Sequence, residues 1–263
     1  HVSTQQTSPH CAANETRVDE YVRHFKKDCW ALPKQVRYVV TDAYYTKTLI
    51  TEAILEQGLH QIGKLRHDAN LRYLYQGPQK AKGRPRQYDG KFKLGETARL
   101  SFVAHQEGVD IYTAVVNCVH LKQAIRLVYV EKKLAQGTKR ALLFSTDTSL
   151  DALSLYRYYQ ARFQIEFLFR DAKQFTGLGD CQARSEQALY NHFNASFTAL
   201  NLLKWQDRQM SPQRTPISIA SWKRRCFNVL FMERIFSNSA FDLSFIKSTP
   251  AYHDLCNFGE IKY

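Results

Sequence analysis

The stretch YYQARFQIEFLFRDAKQ concentrates residue types that can act on a phosphodiester. Tyr159, Arg162, Glu166 and Lys173 follow one another at intervals of three, four and seven residues. In one continuous helix, at about 100° per residue, their side chains fall within an arc of about 60°, and Arg170 lies close to the same column. A phenol and cations can bind phosphates while a carboxylate holds a metal ion at the phosphate to be cleaved. The pattern therefore favours metal-assisted chemistry on a phosphodiester backbone.

The same pattern has an ordinary structural interpretation. Arg162 with Glu166 and Glu166 with Arg170 are spaced as i, i+4 ion pairs on a solvated helix face. An apolar arc on the same predicted helix is suited to packing on a sheet, and it consists of Ala161, Ile165, Leu168 and Phe169. A salt-bridged surface helix therefore remains an alternative at this point.

A second carboxylate, Asp42, follows a predicted strand. Residues 35–41 (QVRYVVT) form a β-branched run that ends at Asp42. A helix is predicted at residues 46–57, ended by Gly58, and a further strand at residues 59–65. The order strand, acid, helix, strand indicates a βαβ unit with parallel strands. Alternatively, Asp42 is only a turn former or helix cap.

The region that follows is basic and rich in turns. Residues 61–100 hold ten Lys or Arg and three Asp or Glu, which gives 10 − 3 = +7. Strands are predicted at residues 101–104, 111–119, 124–130 and 140–145. We interpret residues 68–139 as a β-rich insertion whose cations, Arg84 and Arg86 among them, contact DNA phosphates. The Gly83–Arg84–Pro85 sequence is also compatible with an arginine that enters a narrow A·T-rich minor groove.

Helices are predicted for most of the remaining chain. One long helix is expected over residues 149–174, capped by Thr148 with Asp151 at its third position. Two further helices are expected at residues 185–206 and from Pro216 to 236, with apolar stripes that we expect to be buried: Phe193, Phe197, Leu200 and Leu203 on the first, and Trp222, Phe227, Leu230 and Phe231 on the second. Trp205 is also expected to pack on an apolar helix face.

The predicted organisation has four parts. They are a partial core (residues 1–67, of which 1–10 resemble a strand end and a loop), the insertion (68–139), the second half of the core (140–236) and an irregular tail (237–263).

Composition restricts the class of protein. Thirty-seven Lys and Arg against 24 Asp and Glu give a net charge of +13, which is compatible with a polyanionic partner such as nucleic acid or with a merely basic protein. The six cysteines are scattered without metal-ligand spacing, which argues against a zinc site or a disulfide framework and favours the cytoplasm. No apolar run reaches the length of a membrane span and no signal peptide opens the chain, so no membrane association is expected.

The motifs together resemble a known family. The spacing Y-x2-R-x3-E-x6-K, downstream of a strand ending in Asp and a basic β-rich region, is similar to that of bacterial DDE transposases of the insertion-sequence-four group. The stretches HVSTQQT, VVTDAYYTK, LRYLYQGPQKAKGRPRQYDGK and YYQARFQIEFLFRDAKQ each resemble those transposases. The resemblance covers nearly the whole chain.

The resemblance implies a ribonuclease H-like α/β fold with a β-strand insertion before the last catalytic helix. It implies that Asp42 and Glu166 are the second and third catalytic acids and ligate two Mg²⁺ ions, for which Mn²⁺ can substitute. Tyr159, Arg162 and Lys173 would hold the phosphates of the transposon end, with Arg170 beside them, and Phe163 would stack on a flipped base. The implied partners are double-stranded DNA at inverted repeats, target DNA and a second copy of the chain, in the bacterial cytoplasm at the nucleoid.

One element of the family pattern is missing from the sequence. The first catalytic Asp should lie on a strand well before HVSTQQT, and Asp19 and Asp28 occupy polar or helical sequence instead. We therefore expect the chain to be the C-terminal part of a longer transposase, inactive in isolation. The alternatives are a DNA-binding remnant or regulator that does not cut, and a host nuclease of the same fold, which leaves the Tyr-Arg-Glu-Lys spacing unexplained.

Overall fold

The computed structural model describes residues 15–210, 218–237 and 243–260. The chain divides into two compact units. The described residues up to 164 form the first, here called the sheet unit, and the described residues from 165 onward form the second, called the helical unit. The strand end and loop predicted at residues 1–10 lie outside the described residues.

The sheet unit contains the predicted strand, acid, helix, strand sequence. Strand β1 (Tyr38–Val40) pairs in parallel with β2 (His60–Leu65), and helix α2 (Thr48–Glu56) connects them. The unit also contains helix α1 (Arg17–Asp28) upstream of β1, which Thr16 and Asp19 begin with a reciprocal capping box. The parallel βαβ unit expected from the sequence is confirmed.

Six further strands extend the same sheet. They are β3 (Leu71–Leu74), β4 (Tyr88–Lys91), β5 (Ser101–Gln106), β6 (Val109–Cys118), β7 (Gln123–Leu134) and β8 (Gly137–Ser145). The strand order is β1-β2-β8-β7-β6-β3-β4, with β5 on β6, and β8 pairs antiparallel with both β2 and β7. The strands of the predicted insertion therefore continue the sheet that holds Asp42, and the four strands predicted after residue 100 are confirmed.

Apolar side chains cover both faces of this sheet. One face buries a cluster around Leu71, Leu127 and Phe144. The other buries Ile62 and Leu143 against helix α3 (Ala152–Ala161), which follows β8. Because α3 packs on the sheet, the side chains of its last turn have a fixed position in the sheet unit.

The long helix predicted for residues 149–174 is in fact two helices. Helix α3 ends at Ala161, and α4 (Gln164–Phe175) begins three residues later. The amides of Arg162 and Phe163 donate to the carbonyls of Tyr159 and Gln160, three residues back, which tightens the last turn and ends the α-helical ladder. The prediction of a single column of four side chains was therefore wrong at this break.

The start of α3 also differs from the prediction. Asp151 is itself the N-cap, with an extended ψ of 138°, and its side chain accepts from the amide of Ser154. It therefore does not occupy the third helical position of a box begun by Thr148, because its backbone lies outside the helix.

The helical unit contains α4, α5 (Glu186–Met210) and α6 (Ile219–Phe236). The predicted stripe of α5 is confirmed, since Phe197 and Leu200 are buried with Phe193 and Leu203 packed beside them. The apolar arc of α4 packs on this helix: Leu168 joins the same cluster, and the Phe169 ring meets the Phe197 ring edge to face at 5.4 Å. Ile165 and Ala161 were also expected in a packed arc, but both are exposed.

Two packing predictions on the later helices were wrong. Trp222 is buried as predicted, but Phe227, Leu230 and Phe231 are exposed, because α6 is buried through Ile219, Trp222 and Met232 instead. Trp205 is 61% exposed, since the buried side of α5 is the one that carries Phe197 and Leu200.

The predicted irregular tail contains two short helices, α7 (Leu243–Lys247) and α8 (Pro250–Cys256). Thr249 caps α8 by accepting from the amide of Tyr252, and Pro250 starts the helix, where a missing N–H costs nothing. Tyr252 and Cys256, one turn apart, are buried against Met232. In the described ranges, no helix is both long enough and apolar enough to span a bilayer.

Candidate active site

Asp42 lies two residues beyond the end of β1, at the start of a short 3₁₀ helix (Ala43–Tyr45). Its Oδ1 accepts from the amide of Ala43 at 2.7 Å, and the residue is exposed. Asp42 therefore does cap the turn, as the structural alternative supposed. The cap uses one carboxylate oxygen and leaves the other directed at no protein donor in the described part of the chain.

A buried polar network supports the turn that carries Asp42. Gln61, fully buried on β2, donates through Nε2 to Thr41 Oγ1 at 2.9 Å and to the carbonyl of Tyr45 at 3.0 Å. Its Oε1 accepts from Thr51 Oγ1 at 2.6 Å. Gln61 thus ties the residues on both sides of Asp42 to helix α2 and strand β2. Sequence reasoning missed this residue, because its strand, HQIGKL, mixes polar and apolar side chains and does not mark Gln61 as buried.

Gly63 gives the Thr41 side chain its space. A Cβ at Gly63 would lie 2.8 Å from Phe144 Cε1 and 3.1 Å from Thr41 Oγ1. Only glycine therefore fits between the Phe144 ring and the Asp42 turn.

Aromatic side chains lie beside Asp42. The rings of Tyr21, Tyr44 and Tyr45 contact one another with centroids between 5.4 and 6.2 Å apart, and the ammonium of Lys47 lies 5.1 Å from the centroid of Tyr44. Burial raises the pKa of Tyr45 above its usual 10, and the neighbouring Tyr21, Tyr44 and Asp42 raise it further. Asp42 therefore lies next to a cluster of three aromatic rings.

Tyr159 and Arg162 lie at the end of α3, which packs on the sheet that carries Asp42. Tyr159 is packed in the apolar cluster around Ile62. This burial raises the pKa of Tyr159; the positive charge of Arg162 lowers that pKa and the negative charge of Asp42 raises it further. The guanidinium of Arg162 interacts with the Tyr159 hydroxyl and lies 5.1 Å from the centroid of Phe163. Phe163 is 52% exposed. In the sheet unit, Arg162 therefore lies against the rings of Tyr159 and Phe163, and the charge of Asp42 acts on Tyr159.

The other predicted residues of this motif lie on α4, in the helical unit. Glu166 is exposed in the first turn and Lys173 is exposed in the last turn. Seven residues apart in one helix, they share a face and are separated by about 10 Å along its axis. Arg170 is held by Asp171 at 2.9 Å and lies over the Phe167 ring.

The predicted cations of the basic region lie in the connection between β3 and β4. Arg84 is exposed at its tip, whereas Arg86 bonds to Asp89 and to the carbonyl of Tyr88. They are therefore close in sequence and different in environment.

Asp147, which sequence reasoning did not consider, is the carboxylate with the most depressed pKa in the sheet unit. Hydrogen bonds from Ser149 and Tyr38 lower its pKa to about 2. Burial, and then the hydrogen bond to Asp147, raise the pKa of Tyr38 to about 12. The Tyr38 hydroxyl donates to Asp147 Oδ2 at 2.8 Å. Because Tyr38 is the first residue of β1 and Asp42 follows its last residue, Asp147 lies at the opposite end of β1 from Asp42.

Metal-binding chemistry at Asp42 is compatible with its donor atoms. A carboxylate oxygen is the hard ligand that Mg²⁺ prefers, and one oxygen of Asp42 is available for it. No group of three or more His, Cys, Asp or Glu with metal-site geometry occurs within the described ranges. Asp42 thus fits as one ligand of a site that needs further carboxylates.

The chain was compared with known proteins. A family profile described as "Transposase DDE domain" matches residues 5–202. A solved piggyBac transposase, in a synaptic complex with hairpin DNA, aligns at 14% identity and a TM-score of 0.38, over 93% of this chain and 46% of the transposase chain. The chain thus spans less than half the length of that protein. No curated protein matches significantly.

Proposed function

Because the chain belongs to the transposase DDE domain family, whose members have a ribonuclease H-like fold and generally use divalent metal ions, we propose that it cuts and rejoins DNA at the ends of an insertion sequence. Asp42 and Glu166 are proposed as two of the acids. The observation that carries the proposal is that Tyr159 packs in the same apolar cluster as Val40, two residues before the exposed Asp42, and lies against Arg162. Tyr and Arg are both phosphate-binding residue types.

Asp42 and Glu166 are proposed to ligate Mg²⁺ or Mn²⁺. When bound, such ions activate a water or a 3′-hydroxyl for attack and neutralise charge on the leaving oxygen. The exposed oxygen of Asp42 supports its role as a ligand, and the Gln61 network holds that carboxylate in place. Glu166 is assigned by its position in the Tyr-Arg-Glu-Lys spacing, which also supports membership of the insertion-sequence-four group.

Tyr159 and Arg162 are proposed to bind the phosphate next to the cleaved bond. The raised pKa of Tyr159 keeps its phenol protonated throughout the neutral range, so the hydroxyl can donate to a phosphate oxygen. The Arg162 guanidinium supplies a permanent positive charge with planar donors. Together they would orient the phosphodiester against Asp42, while Phe163 offers an exposed ring for an unstacked base.

Lys173 and Arg170 are proposed as further DNA contacts on α4. Lys173 shares the Glu166 face and would bind a neighbouring phosphate. Arg170, already paired with Asp171, would contribute less. Inverted-repeat DNA, target DNA and a second copy of the chain, in the bacterial cytoplasm, are the partners that this function requires.

The first experiment tests the acids in the product of the complete reading frame. Asp42→Asn and Glu166→Gln should each abolish Mg²⁺-dependent nicking of DNA that carries the inverted repeats, while the affinity for that DNA falls less than about threefold. The matched control is Asp68→Asn, an exposed aspartate just after β2 whose partner is the exposed Arg66. If either variant cuts at the wild-type rate, the assignment of that acid is wrong.

A second experiment tests the phosphate-binding pair. Arg162→Ala should weaken both end binding and cleavage, by about tenfold or more for the latter. Unchanged affinity and rate would overturn the role of Arg162. If the wild-type protein binds inverted repeats but never nicks them with Mg²⁺ or Mn²⁺, it is instead a DNA-binding regulator.

A further inference from the structure

The connection between β3 and β4 is a strongly basic surface segment. Residues 75–87, here called the β3–β4 loop, read YQGPQKAKGRPRQ and hold four cations and no acid. The flanking strands pair antiparallel, with Leu74 opposite Tyr88, and the amide of Tyr75 donates to the carbonyl of Gln87. The loop therefore projects from the end of a hairpin.

The side chain of Gln79 closes this loop. Its Nε2 donates to the carbonyl of Arg86 at 2.8 Å, and its Oε1 accepts from the amide of Arg86 at 2.8 Å. A side-chain amide thus replaces the backbone of a partner strand. The two bonds hold residues 80–85 as a six-residue tip whose ends are fixed.

Tyr75 contacts both sides of the loop. Its hydroxyl donates to the carbonyl of Pro78 at 3.0 Å, and the guanidinium of Arg86 lies 4.5 Å from its ring centroid. Gly77 permits this arrangement, because a Cβ there would lie 2.6 Å from the Tyr75 hydroxyl oxygen.

Arg86 braces the loop. Its Nε donates to the carbonyl of Tyr88 at 3.1 Å and its Nη2 donates to Asp89, which also holds Arg99 at 2.7 Å. A guanidinium held by a carbonyl, a carboxylate and an aromatic ring is not available to a ligand without breaking those contacts.

The three cations of the tip, unlike Arg86, are not held by other side chains in the described residues. Lys80, Lys82 and Arg84 are exposed, and none forms an ion pair in the described residues. Gly83 has a φ of +101°, in the region that favours glycine, and Pro85 fixes the backbone directly after Arg84. The tip is therefore a narrow, preorganised turn with one guanidinium between glycine and proline.

We propose that the β3–β4 loop is a preformed reader of the DNA minor groove. Arg84 enters a narrow A·T-rich groove, where the negative potential is strongest, and Lys80 and Lys82 contact the phosphates on either side. The exocyclic amino group of guanine excludes Arg84 from G·C tracts. This inference rests on the proposed function in that DNA is the ligand, and it adds the base composition that the DNA must have.

The test measures binding of the full chain to three duplexes by fluorescence anisotropy. One contains an A·T tract, one a G·C tract, and in the third inosine replaces guanine, which removes the minor-groove amino group but keeps the G·C pattern of the major groove. We expect the A·T and inosine duplexes to bind roughly tenfold more tightly than the G·C duplex. Arg84→Ala should remove that preference, whereas Lys133→Ala, an exposed cation at the end of β7, should retain it.

The outcomes separate this inference from the proposed function. Equal binding of all three duplexes, or an A·T preference that survives in Arg84→Ala, overturns the minor-groove role while DNA binding stands. A preference for A·T that inosine does not reproduce overturns it as well, because the major groove would then be read. If no duplex binds, the proposed DNA function fails together with the inference.

Gln79→Ala tests the preorganised tip. It removes both bonds to Arg86 without changing any charge, so the A·T preference should fall about threefold or more while the dependence of affinity on salt stays constant. An unchanged preference would show that the fastened geometry is irrelevant.

Discussion

Substitution of Gln61 by Met should selectively destabilise the turn that holds Asp42. Met fills a similar volume and removes three hydrogen bonds, those to Thr41, Tyr45 and Thr51. Each partner keeps one other bond: Thr41 to the carbonyl of Ile62, Thr51 to that of Lys47, and the Tyr45 carbonyl to the Lys47 amide. The single Thr51 proton is shared between Gln61 and the Lys47 carbonyl, so the loss is two to three net hydrogen bonds at about 1 kcal/mol each, or up to about 3 kcal/mol. The larger penalty of orphaned groups is avoided.

Hydrogen exchange followed by mass spectrometry measures this effect locally. For amides of β2 that exchange through opening of the sheet, about 3 kcal/mol corresponds to a roughly hundredfold loss of protection. The control is Gln174→Met, at an exposed helical position where the two residues have similar propensity. Thr51→Val should cost less than Gln61→Met, and the double variant should cost less than the sum. Protection equal to that of the control would refute the network.

Three further predictions concern the same unit. Asp147→Asn should lower the free energy of unfolding by about 1 to 2 kcal/mol above pH 4, a value reduced for the partial exposure of the residue. Because the pKa of Asp147 is lowered from 3.8 to about 2, this contribution is lost as the pH falls through that range. The unfolding free energies of the two proteins, measured by urea titration, should therefore converge at low pH. Gly63→Ala should cost about 1 to 3 kcal/mol through the clash with Phe144, and an unchanged melting temperature would contradict this. Lys82→Ala should weaken binding to all duplexes equally and reduce the slope of log affinity against log salt by about 1, so any base dependence of its effect would be evidence against a phosphate contact.

Local patterns sufficed to predict the part of the sheet that carries Asp42. A β-branched run, an acid, an apolar helical period and a glycine stop are all short-range signals, and β1, α2 and β2 follow them. The network around Gln61 was not predictable in this way. Its three partners come from the residue after β1, the short 3₁₀ helix and α2, and only the folded chain brings them together.

The break between α3 and α4 had no signal in the sequence. Neither Gly nor Pro occurs between Ala152 and Phe175, and the 3.6-residue period of apolar side chains continues through Arg162 and Phe163. Periodicity also cannot choose between two apolar faces of one helix. Phe227 was therefore predicted to be buried, whereas Trp222 is the only member of the predicted stripe that is buried in the described helix. The neighbouring helices decide which face is buried, and their positions are tertiary information.

The contrast between Arg84 and Arg86 shows why residue type alone does not assign a DNA contact. Both are arginines in one basic tetrapeptide, and the sequence treats them alike. Arg86 donates hydrogen bonds to Asp89 and to the carbonyl of Tyr88, and its planar face lies over the Tyr75 ring. Its charge is therefore compensated inside the hairpin. Within the described ranges, neither a carboxylate nor a ring holds Arg84. The contacts of Arg86 thus fix the base of the loop, which reduces the conformational freedom of the tip before any ligand binds. Arg84 is therefore exposed on a preorganised tip.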